Sequence, residues 1–329
     1  MKKSSRLAKF VSPRQASEGE ILLGVDGGGT RTRAVIADSD GRVLGEGAAG
    51  PSNPLRVGII NAAAAIREAA TQACSASGVQ PTEIDAAQVG LAGVRRGDLR
   101  ARMREALKSL RVGLLQVVTD SEIALYGATD GQPGVVIIAG TGSICCGVNA
   151  QGRHACAGGW GPIAGDEGSG SWIARRALQA IGRQSDGRGP QTRLGEEACA
   201  YFKVATEDDL VVAIYAPSMT NERIAGFGRC VIETARRGDR VARSIVVEAG
   251  RELGMAAVAV IRELRMERGR FQVAYVGGVF AAGRVLLDSV REEVRQLAPG
   301  AFLAPPHLPP VIAAARMAHD RLDKLRMAG

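Results

Sequence analysis

The sequence predicts an α/β protein built from two similar domains around a cleft. A glycine-rich turn between two apolar runs occurs twice, at 25–30 and again at 139–143. After each copy, segments with strand spacing and helix spacing follow in the same order. The length of 329 residues also exceeds what one core usually needs and suits two domains.

The first copy opens the first predicted domain. The segment 25–30 (VDGGGT) lies between two apolar runs, which is typical of a buried strand, a tight turn and a returning strand. An alanine-rich stretch follows with apolar residues at helical spacing and ends at Gly78. The elements predicted here are strands at 21–23, 34–36, 42–46, 87–91 and 114–118 and helices at 61–77, 98–110 and 121–128.

The second copy, 139–143 (AGTGS), repeats this order after a cluster of turn-forming residues at 130–133. The elements predicted here are strands at 135–139, 144–148, 153–157 and 273–276 and helices from about 171, at 221–236, 239–265, 281–297 and 310–327. The predicted organisation is a disordered basic tail at 1–20, a first domain at 21–131 that the C-terminal helix at 312–329 joins, and a second domain at 132–311.

Charge and composition exclude several protein classes. The net charge of +8 is spread as single arginines among acids, without a basic stripe beside aromatic residues, so no nucleic-acid partner is expected. No apolar run approaches the roughly 20 residues that span a bilayer, and residues 1–20 lack the apolar stretch of a secretory signal. We therefore expect a cytoplasmic protein with no membrane contact. Its six cysteines form no metal-binding spacing and are expected to be reduced thiols.

Asp26 is the first candidate for chemistry, because it follows a buried run and precedes three glycines. A carboxylate there could hold Mg²⁺, directly or through water, while backbone N–H groups of the turn bind phosphate. The glycines are expected to permit a positive φ and a close approach of the ligand to the backbone. The alternative is an aspartate that only caps the turn.

Asp120 ends a predicted strand directly before a helix, where open α/β sheets place their ligands. A carboxylate at this position could accept the proton of an attacking hydroxyl group. Aspartate is also a favoured helix N-cap. Position alone leaves these two interpretations equal.

Three further glycine-rich segments indicate ligand contacts. The loops 158–162 (GGWGP) and 165–170 (GDEGSG) suit a polar ligand, with Asp166 or Glu167 receiving sugar hydroxyls, although a capped connector would have the same composition. The pair at 277–278 would admit a flat ring or a ribose at a strand-to-helix junction. The match to G-x-G-x-x-G at 45–50 is followed by Pro51 where a helix should begin, so a Rossmann site is not expected.

Taken together and in this order, the motifs resemble the BadF/BadG/BcrA/BcrD ATPase family, most closely its N-acetylglucosamine kinases. The matching segments are 24–30 (GVDGGGT), 119–120 (TD), 139–143 (AGTGS), 158–161 (GGWG), 165–169 (GDEGS) and 276–279 (VGGV). The resemblance covers about 21–315, and the GGWG and GDEGS pair is its specific part. It implies two ribonuclease-H-like domains, as in the actin-like ATPases.

The resemblance implies a role for each matching residue. Asp26 would position Mg²⁺, and Asp120 would be the general base that deprotonates the sugar 6-hydroxyl. The implied ATP-binding residues are Gly28, Gly29, Thr30, Gly140, Thr141, Gly142, Gly226, Gly277 and Gly278. The implied sugar-binding residues are Asn53, Asp120, Ser143, Gly159, Trp160, Gly161 and Asp166. The implied enzyme is a phosphotransferase with an alcohol acceptor that converts N-acetylglucosamine and ATP into N-acetylglucosamine 6-phosphate and ADP, and a homodimer is common among its relatives.

Two positions depart from the family pattern. Ile144 stands where relatives of known sugar preference often have a polar residue, which leaves the substituent on the sugar nitrogen open. Ile312 stands where the family usually has glycine, near the nucleotide. Glucosamine is therefore the main alternative substrate. An activator ATPase of 2-hydroxyacyl-CoA dehydratases and a non-catalytic sugar sensor are further alternatives, and the presence of Asp120 argues against the sensor.

Overall fold

The computed structural model describes residues 19–328 and divides the chain into two compact units. One unit comprises the residues up to 123 together with those from 310 onward, and the other comprises 124–309. Of the predicted tail at 1–20, residues 1–18 lie outside the described residues. Glu20 instead lies against the C-terminal helix, where its carboxylate is 2.7 Å from Nδ1 of His319 and also pairs with Arg326.

The first unit contains a five-stranded mixed sheet. Its strands are β1 (Ile21–Gly27), β2 (Thr32–Asp38), β3 (Val43–Ala49), β4 (Ala86–Leu91) and β5 (Leu114–Thr119), and its first helices are α1 (Pro54–Ser77), α2 (Gly97–Leu107) and the start of α3 (Asp120–Thr129). The strand order is β3-β2-β1-β4-β5. The three strands β1, β2 and β3 pair antiparallel, whereas β1, β4 and β5 pair parallel.

The second unit repeats this sheet. Its strands are β6 (Gly134–Ala139), β7 (Ser143–Val148), β8 (His154–Gly158), β9 (Gln272–Val276) and β10 (Phe302–Ala304). Its helices are α4 (Gly161–Ala164), α5 (Gly170–Ser185), α6 (Leu194–Phe202), α7 (Glu207–Ile214), α8 (Asn221–Arg236), α9 (Arg240–Leu264) and α10 (Arg284–Leu297). Read from β8 to β10, the strand order β8-β7-β6-β9-β10 matches the order β3-β2-β1-β4-β5 of the first sheet, strand for strand. The predicted fold class, α/β with two ribonuclease-H-like domains, is confirmed.

The two faces of the first sheet are covered by different helices. The alanine-rich α1 packs on one face through residues that include Ala62, Ala69 and Ala73. The last helix, α11 (Pro310–Ala328), packs on the other face, where Val311 and Ala315 meet Leu22 of β1. Chain segments from both ends of the sequence therefore build the first core.

Two of the three glycines of the G-x-G-x-x-G match serve helix packing. Gly45 and Gly47 lie on β3, where a Cβ would collide with the backbone carbonyl of Ala73 or Ala69 on α1, whereas Gly50 follows the strand and has open space around it. Glycine is needed there because helix and strand backbones approach closely. The expectation that this motif is not a Rossmann site agrees with its place in the middle of an antiparallel strand.

The units part at a different place from the predicted domain border. The contact division falls between Ile123 and Ala124, inside α3, whereas the turn-rich segment at 130–133 lies beyond that helix. The first half of α3 packs with the first unit through Ile123, and its second half packs with the second sheet through Leu125 and Ala128. Because the border falls inside a helix, no turn-forming residues mark it in the sequence.

The expectation of six reduced cysteines is wrong for one pair. Cys146 on β7 and Cys156 on β8 are direct cross-strand partners and form a disulfide. Cys145 is buried in the core on the opposite face of β7, since neighbouring strand residues alternate. Sequence spacing could not reveal the pair, because it depends on the register of β7 against β8.

Some elements were missed or differ from their prediction. The helices α4, α6 and α7 and the strand β10 were not predicted. The helix predicted at 281–297 consists of a 3₁₀ turn at Gly278–Ala282 followed by α10. None of the helices within residues 19–328 is both long enough and apolar enough to span a membrane.

Candidate active site

The turn between β1 and β2 is held by its neighbours rather than by unusual backbone angles. Gly28 N–H donates to the Arg31 carbonyl at 2.9 Å, and the Gly28 carbonyl accepts from Ser52 N–H at 3.0 Å. Thr32 Oγ1 lies 2.8 Å from Ser52 Oγ and fixes that serine. The turn is therefore attached to the segment that precedes α1.

Of the two reasons expected for these glycines, the positive φ is wrong, whereas the close approach of a ligand stays a prediction. None of Gly27, Gly28 and Gly29 has a positive φ. At Gly27 a Cβ would collide with Ser52 and Leu91, and at Gly29 it would lie 2.9 Å from Nη1 of Arg56. Lack of space explains Gly27, whereas the Arg56 guanidinium is the end of a flexible side chain and could move away from a Cβ at position 29. Gly28 has an ordinary clearance of 3.5 Å to the Arg31 carbonyl, and Thr30 is exposed.

Asp26 lies at the carboxyl end of β1, directly before this turn. Its side chain is half-buried, and burial raises the pKa of its carboxyl while the charges of Arg33 and Arg31 oppose the rise. A carboxylate whose charged form is disfavoured by burial is suited to a bound cation, which would stabilise that charge. Gly90 of β4 is its parallel neighbour, and β5 comes next in the sheet.

Asp120 follows β5 at the same edge of this sheet and opens α3. Burial raises the pKa of Asp120 to about 6, and the nearby charge of Asp26 adds to the rise. Its Oδ1 accepts a hydrogen bond from Ser121 N–H at 2.9 Å, which favours the charged form. The structure thus brings the two predicted carboxylates within electrostatic reach of each other.

The helix cap at this point is formed by other residues. Thr119 Oγ1 accepts from Glu122 N–H at 3.2 Å, and Glu122 Oε2 accepts from both Thr119 N–H and Thr119 Oγ1 at 2.8 Å. This reciprocal pair is a capping box, whose sequence signal is a threonine three residues before a glutamate. Because Thr119 and Glu122 cap the helix, Asp120 is not needed as its N-cap. The sequence analysis had not identified this capping box.

Asn53, the predicted sugar residue of the first unit, is the N-cap of α1. Its Oδ1 accepts from Leu55 N–H at 3.0 Å. The loop after β4 passes close by, since a Cβ on Gly93 would collide with the Asn53 amide. Asn53 therefore has a structural role that its sequence motif did not reveal, and its sugar contact stays a prediction.

In the second unit, the turn 140–142 is fixed to the start of α5. Gly170 N–H donates to the Gly140 carbonyl at 2.8 Å, and Ser171 Oγ donates to the Thr141 carbonyl at 2.7 Å. Gly140 N–H donates to the Gly142 carbonyl at 2.9 Å and closes the turn. The carbonyls of Gly140 and Thr141 are thus bound by the protein itself.

Asp166 connects this turn to the glycine-rich loops. It is buried, with 6% of its surface exposed, and has a φ of 60°. Its Oδ1 accepts from Ser143 N–H at 3.3 Å, and the backbone N–H of Gly161 also bonds to its carboxyl. Burial raises its pKa, and these two hydrogen bonds oppose the rise. Asp166 has a left-handed backbone conformation, and its hydrogen bonds fix the positions of Ser143 and of the loop at 159–161.

Gly142 is explained by the same aspartate. A Cβ on Gly142 would lie 2.6 Å from Oδ2 of Asp166. Ser143 Oγ donates to the Glu167 carbonyl at 2.7 Å. The second turn and the GDEGSG loop therefore form one hydrogen-bonded assembly.

The remaining predicted residues of this unit have varied surroundings. Trp160 is 72% exposed between Gly159 and Gly161, both of which have positive φ. Gly277 has a φ of 119°, and a Cβ there would collide with the carbonyl of Ala139 at the end of β6, whereas Gly278 faces open space. Gly226 on α8 leaves room for the Tyr201 hydroxyl.

The departure at Ile144 has a structural counterpart. A Cβ on Gly159 would be only 3.0 Å from Ile144 Cδ1, so this side chain lies directly against the GGWG loop. Ile144 also packs with the small cluster around Cys146, on the sheet face opposite Cys145. Its apolar character is explained by this packing.

Comparison with known proteins extends the picture to the whole chain. The model of the BadF/BadG/BcrA/BcrD ATPase family matches residues 23–318. The N-acetylmuramic acid/N-acetylglucosamine kinase of Clostridium acetobutylicum is 35% identical over 274 residues, which are 83% of this chain and 90% of that protein. The N-acetyl-D-glucosamine kinase of Dictyostelium discoideum is 30% identical over 311 residues, which are 91% of this chain and 98% of that protein.

A solved structure gives the same result. The structure of a candidate N-acetylglucosamine kinase from Chromobacterium violaceum aligns with a TM-score of 0.73 at 30% sequence identity. The alignment covers 90% of this chain and 98% of that one.

Proposed function

Since the chain belongs to the BadF/BadG/BcrA/BcrD ATPase family, we propose that it is an ATP-dependent hexosamine kinase acting on N-acetylglucosamine. The products would be N-acetylglucosamine 6-phosphate and ADP. The observation that carries the proposal is Asp120, a carboxylate at a strand end that the capping box of Thr119 and Glu122 leaves free for chemistry.

Asp120 has the properties of a general base for a sugar hydroxyl. With a pKa of about 6 it is mostly ionised near neutral pH, yet it binds a proton more readily than an ordinary aspartate. In the proposed step, the oxygen of the sugar 6-hydroxyl bonds to the γ-phosphorus, and Asp120 takes its proton. The bond from the γ-phosphorus to the bridging oxygen breaks, and that oxygen leaves with ADP.

Mg²⁺ fits the residues of the first unit. Asp26 is a half-buried carboxylate with a second one, Asp120, in electrostatic reach, and a divalent cation would offset the desolvation of both. We propose that Asp26 holds the ion, directly or through water. When bound, Mg²⁺ would neutralise negative charge on the phosphates of ATP.

The glycine turns supply the proposed phosphate contacts. In the first unit, Gly28, Gly29 and Thr30 form a tight turn directly after Asp26. In the second, α5 binds the carbonyls of Gly140 and Thr141, and Gly140 N–H closes the turn onto the Gly142 carbonyl, so the N–H groups of Thr141 and Gly142 are the ones proposed to contact an anion. Gly226, Gly277 and Gly278 are proposed to border the nucleotide.

The proposed sugar contacts are prepared by hydrogen bonds inside each unit. Asn53 is fixed as a helix cap, and Asp166 holds Ser143 and Gly161 in place. The exposed ring of Trp160 and the backbone of Gly159 complete the set. Side chains that are already immobilised lose little further entropy when a sugar binds.

The test is a coupled ADP-release assay with Mg-ATP on N-acetylglucosamine, glucosamine, N-acetylmannosamine and glucose. Asp120→Asn should lower kcat by roughly 10²- to 10⁴-fold, because the amide cannot take the proton. Asp40→Asn, a change at an exposed turn, is the matched control and should leave kcat unaltered. ATP hydrolysis that does not depend on a sugar, or the absence of turnover on every sugar, would contradict the proposal.

A further inference from the structure

The second unit contains a groove whose lining includes none of the residues predicted to bind ATP or the sugar. It lies between residues 176–183 of α5 and 240–248 of α9, and the segment 186–191 also lines it. Its volume is about 890 Å³. Small-molecule sites in proteins commonly have roughly 300 to 1,000 Å³, so the groove is large enough for a small organic ligand.

The lining of this groove is rich in arginine. Two of its arginines are neutralised by acids of the same lining, since Arg176 Nη2 lies 2.8 Å from Oε1 of Glu248 and Arg188 forms an ion pair with Asp186. Two further arginines, Arg183 and Arg240, line the groove as well. The charge balance of the groove therefore depends on whether these two have acidic partners.

Arg183 has no carboxylate to itself. The acid near it is Asp186, whose pKa is lowered mainly by the hydrogen bond from Arg188, with the charge of Arg183 adding to the effect. Arg188 holds both oxygens of that carboxylate, with Nε 2.9 Å from Oδ1 and Nη2 on Oδ2. Within residues 19–328, no carboxylate forms an ion pair with Arg183.

Arg240 is in the same situation for a different reason. It directly follows Asp239, but the oxygens of that carboxylate accept hydrogen bonds from the N–H groups of Ala242 and Arg193 and from Thr192 Oγ1, each at 2.9 Å. No acid of the described chain forms an ion pair with Arg240. The groove thus has two guanidinium charges that its own acids do not neutralise.

The rest of the lining suits the organic part of an anionic ligand. Ala180 of α5 and Val241 and Ile245 of α9 supply apolar surface, which favours an apolar ligand surface over water. A guanidinium group can form two parallel hydrogen bonds to a phosphate group, and such charge-assisted bonds are strong. Phosphate on an organic body is the ligand chemistry that matches both parts of the lining.

We propose that this groove is a second ligand site, which binds a small organic phosphate through Arg183 and Arg240. The site goes beyond the proposed kinase reaction and does not depend on it. Its ligand would contact α5, whose first residues bind the carbonyls of the turn 140–142 through Gly170 N–H and Ser171 Oγ.

The experiment measures phosphate binding to the full chain and to variants of the groove. Inorganic phosphate and phenyl phosphate are titrated by calorimetry in about 0.15 M chloride, with Mg-ADP present to occupy the proposed nucleotide site. The variants are Arg183→Gln, Arg240→Gln and their combination. The control is Arg268→Gln combined with Arg270→Gln, which removes the same charge from two exposed arginines outside the groove.

Each single variant should weaken phosphate binding about tenfold, the loss expected for a hydrogen bond to a charged group. The double variant should lose binding, and the control should bind like the wild type. Phenyl phosphate should bind severalfold more tightly than inorganic phosphate, because its ring can cover the apolar part of the lining. Thermal melting verifies that each variant folds, and all the substituted arginines are exposed.

Two results would overturn the inference. One is phosphate binding of equal strength in the wild type and the double variant, since the phosphate would then bind elsewhere. The other is an equal loss in the control, since binding would then follow net charge alone. If the phenyl ring adds no affinity, the organic body of the ligand is wrong. None of these readouts involves turnover, so the kinase proposal is tested separately by ADP release.

Discussion

Asp120 shows how a single residue acquires its properties from its surroundings. Its carboxyl lies at a strand end beside Asp26, and burial is the main reason for its pKa of about 6. The capping box of Thr119 and Glu122 supplies the start of α3 with its hydrogen bonds. The residue that looked like a helix cap from the sequence is therefore the one left for proton transfer.

We expect the acid limb of the pH profile to report this pKa. As pH falls through about 6, Asp120 takes up a proton and can no longer act as a base, so kcat/KM should fall about tenfold per pH unit below that value. The measurement is kcat/KM for N-acetylglucosamine from about pH 5 to 8. A midpoint near the ordinary aspartate value of 3.8 would contradict it.

The stability of the same variant gives an independent check. The folded pKa lies above the unfolded value of 3.8, so the folded state binds the proton more tightly. Ionised Asp120 thus destabilises the fold above about pH 6, and this effect fades as pH falls toward 3.8. Asp120→Asn should accordingly melt no lower than the wild type near pH 7, although its kcat is expected to be strongly reduced.

Residue types could be predicted at this scale, but not the reasons for them. The positions of Asp26, Asp120 and the turn glycines followed from strand ends and turn motifs. The expected positive φ was wrong, because Gly27 and Gly142 are required by Ser52 and Asp166, which approach from distant parts of each unit's sequence. The sequence of a short motif does not show which distant residues will pack against it in the folded protein.

At the scale of elements, the pair β7 and β8 carries both the disulfide and the start of the GGWG loop. β8 is an edge strand, bonded to the sheet through β7 alone. The bond between Cys146 and Cys156 lies two residues before Gly158, where the loop begins. The disulfide therefore attaches the strand from which this loop extends.

Removing that disulfide should destabilise the protein. Cys156→Ser is expected to cost about 2 to 4 kcal/mol and to lower the thermal midpoint by several degrees, since the closed loop between the cysteines becomes free in the unfolded state. Dithiothreitol should lower the midpoint of the wild type in the same way but leave the variant unaltered. Cys199→Ser, at a free cysteine, is the control. Equal melting of the wild type and Cys156→Ser would contradict this.

The missed elements had weak or ambiguous signals. α6 has Leu194, Ala198 and Phe202 at a spacing of four, which a single short helix shares with many loops. α7 has a capping box of Thr206 and Asp209, which could have been found. The three residues of β10 become a strand only through pairing with β9, and no local pattern encodes that pairing.

At the scale of the whole molecule, the duplication was the most predictable property. Both units have the same strand order, and both place their glycine turn between the first two strands. Two buried runs around a glycine turn are strong local signals, and they occur twice, each time followed by a third strand and then by helices. The position of the border inside α3 could not be predicted, because it depends on which core each half of the helix contacts.

The return of the chain to its first unit can be tested at one glycine. Gly24 of β1 faces α11, and a Cβ there would collide with the Val311 carbonyl and with Ala315 N. Gly24→Ala should therefore push α11 away from the sheet and cost about 1 to 3 kcal/mol, measured as a lower thermal midpoint. Gly97→Ala places its methyl group in open space and should be neutral. A normal midpoint for Gly24→Ala would show that α11 packs differently.

The packing of α11 on the first unit also affects the order in which the two units can fold during translation. When residues up to 123 have been made, β1, β2 and β4 still lack the helix that covers Leu22, Val35 and Ala86. Synthesis of the stretch 124–309 intervenes and takes roughly 10 to 40 s at about 5 to 20 residues per second. The second unit can thus finish folding before the first. In the growing polypeptide, one apolar face of the first sheet therefore stays uncovered until α11 has been translated, well after the strands of that sheet.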